Sequence, residues 1–594
     1  MFILKEFLLK LRSEKAHYLL FAISISLFIF LDFWKIRYGF KGWDESFYIT
    51  VPHRILQGDA FFTDEWHLSQ MSAFLRIPFV WIYEFITKST EGIVLFDRIC
   101  YVIFHATVSI FVYIRLRKYG YIAVVSTVLY FIFTPFDIMA LSYNTMGMDF
   151  LVVTGVTMAT ADTSKKLPFI LSGISFSAVV LCCPFMALVY VLFAFGVLSN
   201  KIFVEKKRSK IICRSFLAED IFSVKVFLCF SLGVAISAAV FLSFVLSGTS
   251  IGDIIENIPY LLSDPEHPNT SIPERFVIIA GEVIAFHDYL WIPIVSFAIL
   301  LIVIAFDRKR MSHRVVYLTI VVCLSIFTEF LYKDKLFGTY HNVIMSPAFF
   351  MGAVSYLLLK NKPEKLFAGI FLAGTLYAFM LSYSSNVHVL VIVMGLSVAN
   401  IASFIFTYLL VIEIYQESNP KKIIKSLKIT AISAFVLYMC FQGALEIYVK
   451  TCHCYREDEN AINLHYMIDK GPAKGIYTNE ENYRHYNALY DDVVVYNNHE
   501  GKKVLFATQS TWTYLAADKT RNAALSGWLW ILYYDSCVER MKDYYSVNED
   551  KIPDYIYIEK STCGLSDKKA LFDELEKNGY EMTENDISYM FAKK

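Results

Sequence analysis

Long apolar runs recur along the chain, separated by short polar segments. Most runs are about 18 to 23 residues, enough to cross a hydrocarbon core of about 30 Å. The runs predict spans near residues 16–34, 93–114, 121–135, 147–161, 167–182, 184–199, 226–248, 288–306, 314–332, 343–360, 365–382, 388–414 and 428–448. That makes about thirteen. The pair 167–199 is interrupted by "CCPF", Cys182 to Phe185, which is either a tight hairpin between two short spans or a kink in one long helix.

Beyond residue 448 the pattern changes. "KKVLFATQS", "DYIYIEK" and "ISYMFAK" alternate or cluster apolar residues as strands do. "DKKALFDELEKNGY" has the spacing of an amphipathic helix that stops at Gly579, and helical spacing recurs around Tyr483 to Tyr490. Strands mixed with helices predict a soluble α/β domain over residues 450–594, after a membrane domain over residues 1–449.

Charge orients the spans. Lys and Arg gather in cytoplasmic loops. Alternate loops read "RLRKYG", "TSKK", "KIFVEKKRSK", "DRKRMSHR", "NKPEK" and "NPKKIIKSLK", all on the side of a basic N-terminus with Lys5, Lys10, Arg12 and Lys15. The opposite loops are acidic or neutral. The N-terminus is therefore expected in the cytoplasm and the α/β domain outside it. The first run is too long for a signal peptide and lacks a small-residue cleavage site, so it reads as a retained helix.

Composition agrees with a polytopic membrane protein: of 594 residues 56% are hydrophobic and only 19% charged, where soluble domains carry about 25%. Net charge is zero, which offers nothing to a nucleic acid. The 39 Tyr and 51 Phe suit interfacial belts. Four cysteines, Cys452, Cys454, Cys537 and Cys563, fall in the outward domain, where disulfides or free thiols are both open. "CHC" at Cys452 to Cys454 offers metal-ligand types without the usual C-x-x-C spacing.

Chemistry is concentrated in the outward loops. The first, over residues 35–92, is long enough to be functional, and it holds two acidic pairs, Asp44–Glu45 and Asp64–Glu65. "ESFYITVPHRILQGD" and "MSAFLRIPFVWIYEFI" read as amphipathic helices lying in the headgroup plane. Asp44 opens the first of them, so it is either a helix cap or a carboxylate placed for proton transfer. A phosphate leaving group at that depth needs cations. Lys41, Arg76, Lys333, Lys335 and His341 face outward, with Tyr340 beside His341 suited to stacking on a sugar. Asp137, in the second outward loop, is a further acidic candidate, as is Glu329 near the outer end of its span. Asp97 and Arg98 read as structural, and Asn144 in "SYNTMG" as a sugar contact or a cap. "NTS" at Asn269 to Ser271 fits the short glycosylation-acceptor pattern.

A first span, then "GWDESFYI", "QGDAFFTDEWHLSQ", "GIVLFDR" and "SYNTMG", with about thirteen spans and an outward C-terminal domain, resembles the GT-C class of membrane glycosyltransferases. The aminoarabinose-transferase and protein-mannosyltransferase-like families are nearest in pattern. The resemblance covers the first 160 residues and the topology. It implies Asp44 as catalytic base with Glu45 beside it, a polyprenyl-phosphate sugar donor and inversion at the anomeric carbon. The acceptor is then expected to be a lipid, glycan or protein at the outer face, and the richness in Lys and Ile points to a bacterial inner membrane. No cofactor is required, and a divalent metal stays open. The rival reading is a transporter or flippase, which should show two related halves and ionisable groups at span centres. No internal repeat is evident.

Overall fold

The computed structural model describes residues 14–204, 220–263, 271–285, 291–331, 342–417, 422–526 and 535–594. Helices occupy the expected spans: Glu14–Lys35, Ile93–Leu116, Tyr121–Ile132, Tyr143–Thr160, Leu167–Cys182, Ala187–Ser199, Val224–Gly248, Trp291–Phe306, Arg310–Leu331, Asn342–Leu358, Ala373–Ser384, Ile392–Gln416 and Lys422–Cys452. Among the described residues eight helices are long and apolar enough to cross a membrane by themselves, and four more apolar helices are shorter. At "CCPF" the chain breaks at an extended Cys183 before a 3-10 turn, Pro184–Met186.

Small residues let these helices touch. A Cβ on Gly155 would lie 2.0 Å from the Gly369 carbonyl, and one on Gly173 2.0 Å from the Phe230 carbonyl. Such close backbone approach is how helices gain contact where lipid removes the hydrophobic drive between them.

The long loop after the first span, residues 35–92, holds two helices, Asp44–Leu56 and Ala73–Thr87. On the second, Trp81, Phe85 and Ile86 are exposed while Arg76 is buried, the arrangement of an interfacial helix.

After the last span, the described residues form seven strands: β1 (Tyr466–Met467), β2 (Tyr477–Thr478), β3 (Lys503–Ala507), β4 (Arg521–Asn522), β5 (Tyr555–Glu559), β6 (Tyr580–Glu584) and β7 (Ser588–Lys593). β1 and β2 pair antiparallel. The others form one sheet in the order β4-β3-β5-β7-β6. β3 runs parallel to both β4 and β5, and β7 runs antiparallel to β5 and β6. Helices Glu480–Val493 and Lys568–Lys577 fall where spacing predicted them, and Gly579, with φ of 85°, ends the second.

The sheet's core is not its own. Phe40, Ile49, Trp66 and Val80 of the first loop pack in one cluster with Val504, Phe506, Trp512, Leu515 and Tyr557. The first loop and the sheet therefore fold as a single body above the spans.

Candidate active site

Asp44 is the first residue of its helix. The cap position belongs to Trp43, and no side chain caps the helix. The capping alternative therefore fails. Its carboxylate makes no hydrogen bond among the described residues, and it sits half-buried. Burial pushes it up to about 6, against the opposing pull of Arg456. Arg456 is exposed, and its guanidinium lies 5.2 Å from the Trp43 ring. Its φ of 56° is a left-handed backbone that a non-glycine residue holds only at a cost. Tyr48, one turn after Asp44, packs edge-on against Tyr143 at 5.4 Å.

Glu45, adjacent in sequence, has a different fate. It is buried in a two-pronged ion pair with Arg98, whose Nη2 donates to its Oε2 at 2.7 Å. Arg98 also donates to the carbonyls of Ile36 and Gly39, both at 2.6 Å. It thus ties the end of the first span to the start of the Asp44 helix, the structural role expected of it. Asp97 accepts from the Leu141 amide at 3.0 Å.

Arg76 faces inward. Its guanidinium stacks on Tyr48 at 5.3 Å, and Nη2 donates to Ser72 Oγ at 3.1 Å. With 1% of its surface exposed, it has no carboxylate within ion-pair distance among the described residues, and its buried Nε has no hydrogen-bond partner there. Lys41 donates to Asn482 at 2.8 Å.

Asp64 and Glu65 belong to another network. Arg54 donates from Nη1 to Glu65 at 2.8 Å and from Nε to Asp59 at 2.9 Å. Lys551 pairs with Asp59 at 2.7 Å and Asp64 at 3.3 Å. Arg54 lies ten residues beyond Asp44, so this network sits about 15 Å further along the helix axis. The two acidic pairs are not brought together.

Asp137 lines a narrow polar pocket with Lys35, Thr134, Glu446, Lys450 and His453. Burial pushes its carboxyl up to about 6 despite Lys35, His453 and Lys450. Lys450 pairs with Asp32 at 2.9 Å and donates to Thr134 at 3.1 Å. Phe136 and Tyr455, next in sequence to Asp137 and Arg456, pack against the same apolar cluster as Phe47 and Tyr48. The pocket's two carboxylates face two ammonium groups, which is not a divalent-metal ligand set. Among the described residues no group of three or more His, Cys, Asp or Glu suits a metal. Cys452, Cys454 and Cys563 are free thiols.

Arg456, Lys35 and Lys450 were absent from the sequence-based candidates, and His453 entered only as part of "CHC". A signal existed: Tyr438, Gln442, Glu446 and Lys450 repeat every four residues in the last span, a polar row in hydrocarbon. Glu329 is fully buried beside Tyr438, with no hydrogen bond of normal geometry to either oxygen. Other mid-span ionisable groups do pair with one another. His105 bonds Asp149 at 2.8 Å, and Tyr130 donates to the same carboxylate at 2.6 Å. Asn144 caps nothing, because Ser142 and Thr145 form the capping box there. Lys333, Lys335, Tyr340, His341 and Asn269 lie outside the described residues, as does the Cys537 side chain.

No protein-family model and no curated protein matches the chain. Solved structures similar to it include the archaeal oligosaccharyltransferase AglB from Archaeoglobus fulgidus in complex with an inhibitory peptide and a dolichol-phosphate. That likeness has a TM-score of 0.42 at 10% identity, over 97% of this chain and 74% of that one. A second is the Archaeoglobus fulgidus oligosaccharyltransferase tethered with an acceptor peptide containing the NVT sequon. Here the TM-score is 0.41 at 11% identity, with the same coverages of 97% and 74%. Likeness of this degree says nothing of catalysis.

Proposed function

We propose that the protein is an integral-membrane glycosyltransferase of the GT-C kind. It takes a sugar from a polyprenyl-phosphate donor and passes it, with inversion, to a lipid, glycan or protein acceptor. The reaction belongs to the extracytoplasmic face of a bacterial inner membrane, with the N-terminus in the cytoplasm. Residues 1–449 are the transferase domain and residues 450–594 the extracytoplasmic domain.

One observation carries the reading. Asp44 is a carboxylate at the end of the spans, half-buried, pushed up to about 6, and free of the hydrogen bonds that engage Glu45, Asp64 and Glu65. A base of that strength takes the acceptor hydroxyl's proton as the oxygen bonds to the anomeric carbon. The bond from that carbon to the donor phosphate oxygen breaks, and the phosphate leaves with the electron pair. General-base help of this kind is worth about 10²–10⁴ in rate. Arg456 is the cation placed for the leaving phosphate, because it is exposed and nearest in charge to Asp44. Lys35 and Lys450 add positive charge at the neighbouring pocket. Arg76, Lys333, Lys335, Tyr340 and His341 complete the proposed donor contacts, with Asp137 as the second acid. Glu45 holds Asp44's helix through Arg98. No step needs a metal.

The test is transfer from polyprenyl-phosphate sugars by purified protein in lipid nanodiscs. Asp44→Asn should abolish transfer and leave expression and donor binding intact. Full activity in that variant refutes the assignment of the base.

A further inference from the structure

The helix that carries Asp44 is gripped from behind by the C-terminal sheet domain. At 100° per residue, Ser46, Thr50, Arg54 and Gln57 fall on one side of the helix, and Asp44 lies off that side, roughly 80–160° from each of them. All four bond to a single segment that follows β3. Ser46 Oγ meets Thr511 Oγ1 at 2.8 Å, and Thr50 Oγ1 donates to the Thr511 carbonyl at 3.0 Å. Arg54 Nη2 donates to the Ala524 carbonyl at 3.0 Å, and Gln57 Nε2 to that of Asp518 at 2.7 Å. Thr511 Oγ1 also reaches the Trp43 carbonyl at 3.4 Å.

Trp512 closes the grip. It is 1% exposed and stacks on Tyr486 at 4.3 Å. Its indole fills the space a side chain would need at Gly42, where a Cβ would come within 2.4 Å of Nε1. Gly42 has φ of 77°, so the turn into the helix is itself made for glycine.

The location is telling. β3 is flanked by two parallel strands that both follow it in the chain, β4 on one side and β5 on the other, so the order reverses between β3 and β5. Open α/β sheets place ligands in the crevice at the carboxyl ends of such strands. Here Thr508 at the end of β3 donates to Glu559 at the end of β5, which closes the crevice, and the loop beyond it, 509–512, holds the helix. The feature other sheets give to a ligand is given to a part of the same chain.

We propose that Thr511 is a positioning residue for the transfer reaction: through Ser46, Thr50 and Trp43 it sets the rotation of the Asp44–Leu56 helix and so the direction of the Asp44 carboxylate. This rests on the reading of Asp44 as the base. A displacement of about 1 Å in a reacting group costs on the order of 10²-fold in rate. Losing the Thr511 hydroxyl releases two of the contacts nearest Asp44 and leaves the donor site untouched.

The experiment compares Thr511→Val and Thr511→Ser in full-length protein, with Asp44→Asn alongside. Thr511→Val should lower kcat at least tenfold, leave the donor KM within twofold, and be rescued by Thr511→Ser, which keeps the hydroxyl. Ser46→Ala, which deletes one hydroxyl on the other partner, should lower kcat in the same direction. It carries the test if Thr511→Val does not fold. Wild-type kcat in the folded variants, with Asp44→Asn inactive, overturns the positioning role alone. A kcat loss not rescued by Thr511→Ser also overturns it. An active Asp44→Asn overturns the reading beneath it.

Discussion

Arg98 clasps Glu45 with two nitrogens of its guanidinium while it also holds the carbonyls of Ile36 and Gly39. Asp44, the residue just before Glu45, makes no hydrogen bond among the described residues. Two neighbouring acids in one motif thus take unlike roles: one anchors, the other stays available.

The first prediction follows from that clasp. Arg98→Met leaves Glu45 buried and unpaired, which costs about 3–5 kcal/mol. A large drop in thermal midpoint is expected. The double variant with Glu45→Gln should recover part of it, because no buried charge is then left alone.

The pH dependence of transfer should carry the Asp44 titration. Its carboxyl is pushed up to about 6, and only the ionised form accepts a proton. The rate at saturating donor should rise with pH below about 6 and level off above it. A profile flat from pH 5 to 8 contradicts the assignment.

Stability should show the same group with opposite sign. Its folded value of about 6 lies above its ordinary 3.8, so the folded state binds the proton more tightly. The ionised carboxylate then destabilises the fold above about pH 6, and that effect fades as pH falls through 6 towards 3.8. Asp44→Asn should therefore melt higher than wild type at pH 7.5 and equal to it near pH 3.5.

Arg456 should act on the donor. Arg456→Ala removes a charge-assisted contact of about 1.5–3 kcal/mol. The donor KM should rise tenfold or more, with little change in melting, because the side chain is exposed. An unchanged KM removes Arg456 from the site.

The network around Arg54 should behave as structure. Glu65→Gln or Lys551→Met breaks a buried set of ion pairs joining the first loop to the sheet domain. Melting should fall while kcat per folded molecule holds. A loss of kcat without loss of stability returns Asp64 and Glu65 to the catalytic candidates.

Much of the architecture was legible in the residues. Hydrocarbon demands a long apolar run for every crossing, so helices such as Val224–Gly248 and Ile392–Gln416 announce themselves. Strands β3, β5 and β7 and the helix closed by Gly579 were legible for a similar reason: burial of one face imposes a period. Local periodicity says which face is buried. It does not say against what.

Partnership was decided only by the tertiary structure. Asp44, Glu45, Asp64 and Glu65 look alike as letters. What separates them is Arg98, 53 residues beyond Glu45, and Lys551, which reaches back 492 residues to Asp59 in the Asp64 network. Thr511, 465 residues from Ser46, decides how the helix is turned. Contacts that remote leave no periodic trace, because each depends on two chain segments meeting in space. The apolar pattern alone sets where the chain crosses; the fold alone sets which carboxylate is left free to react.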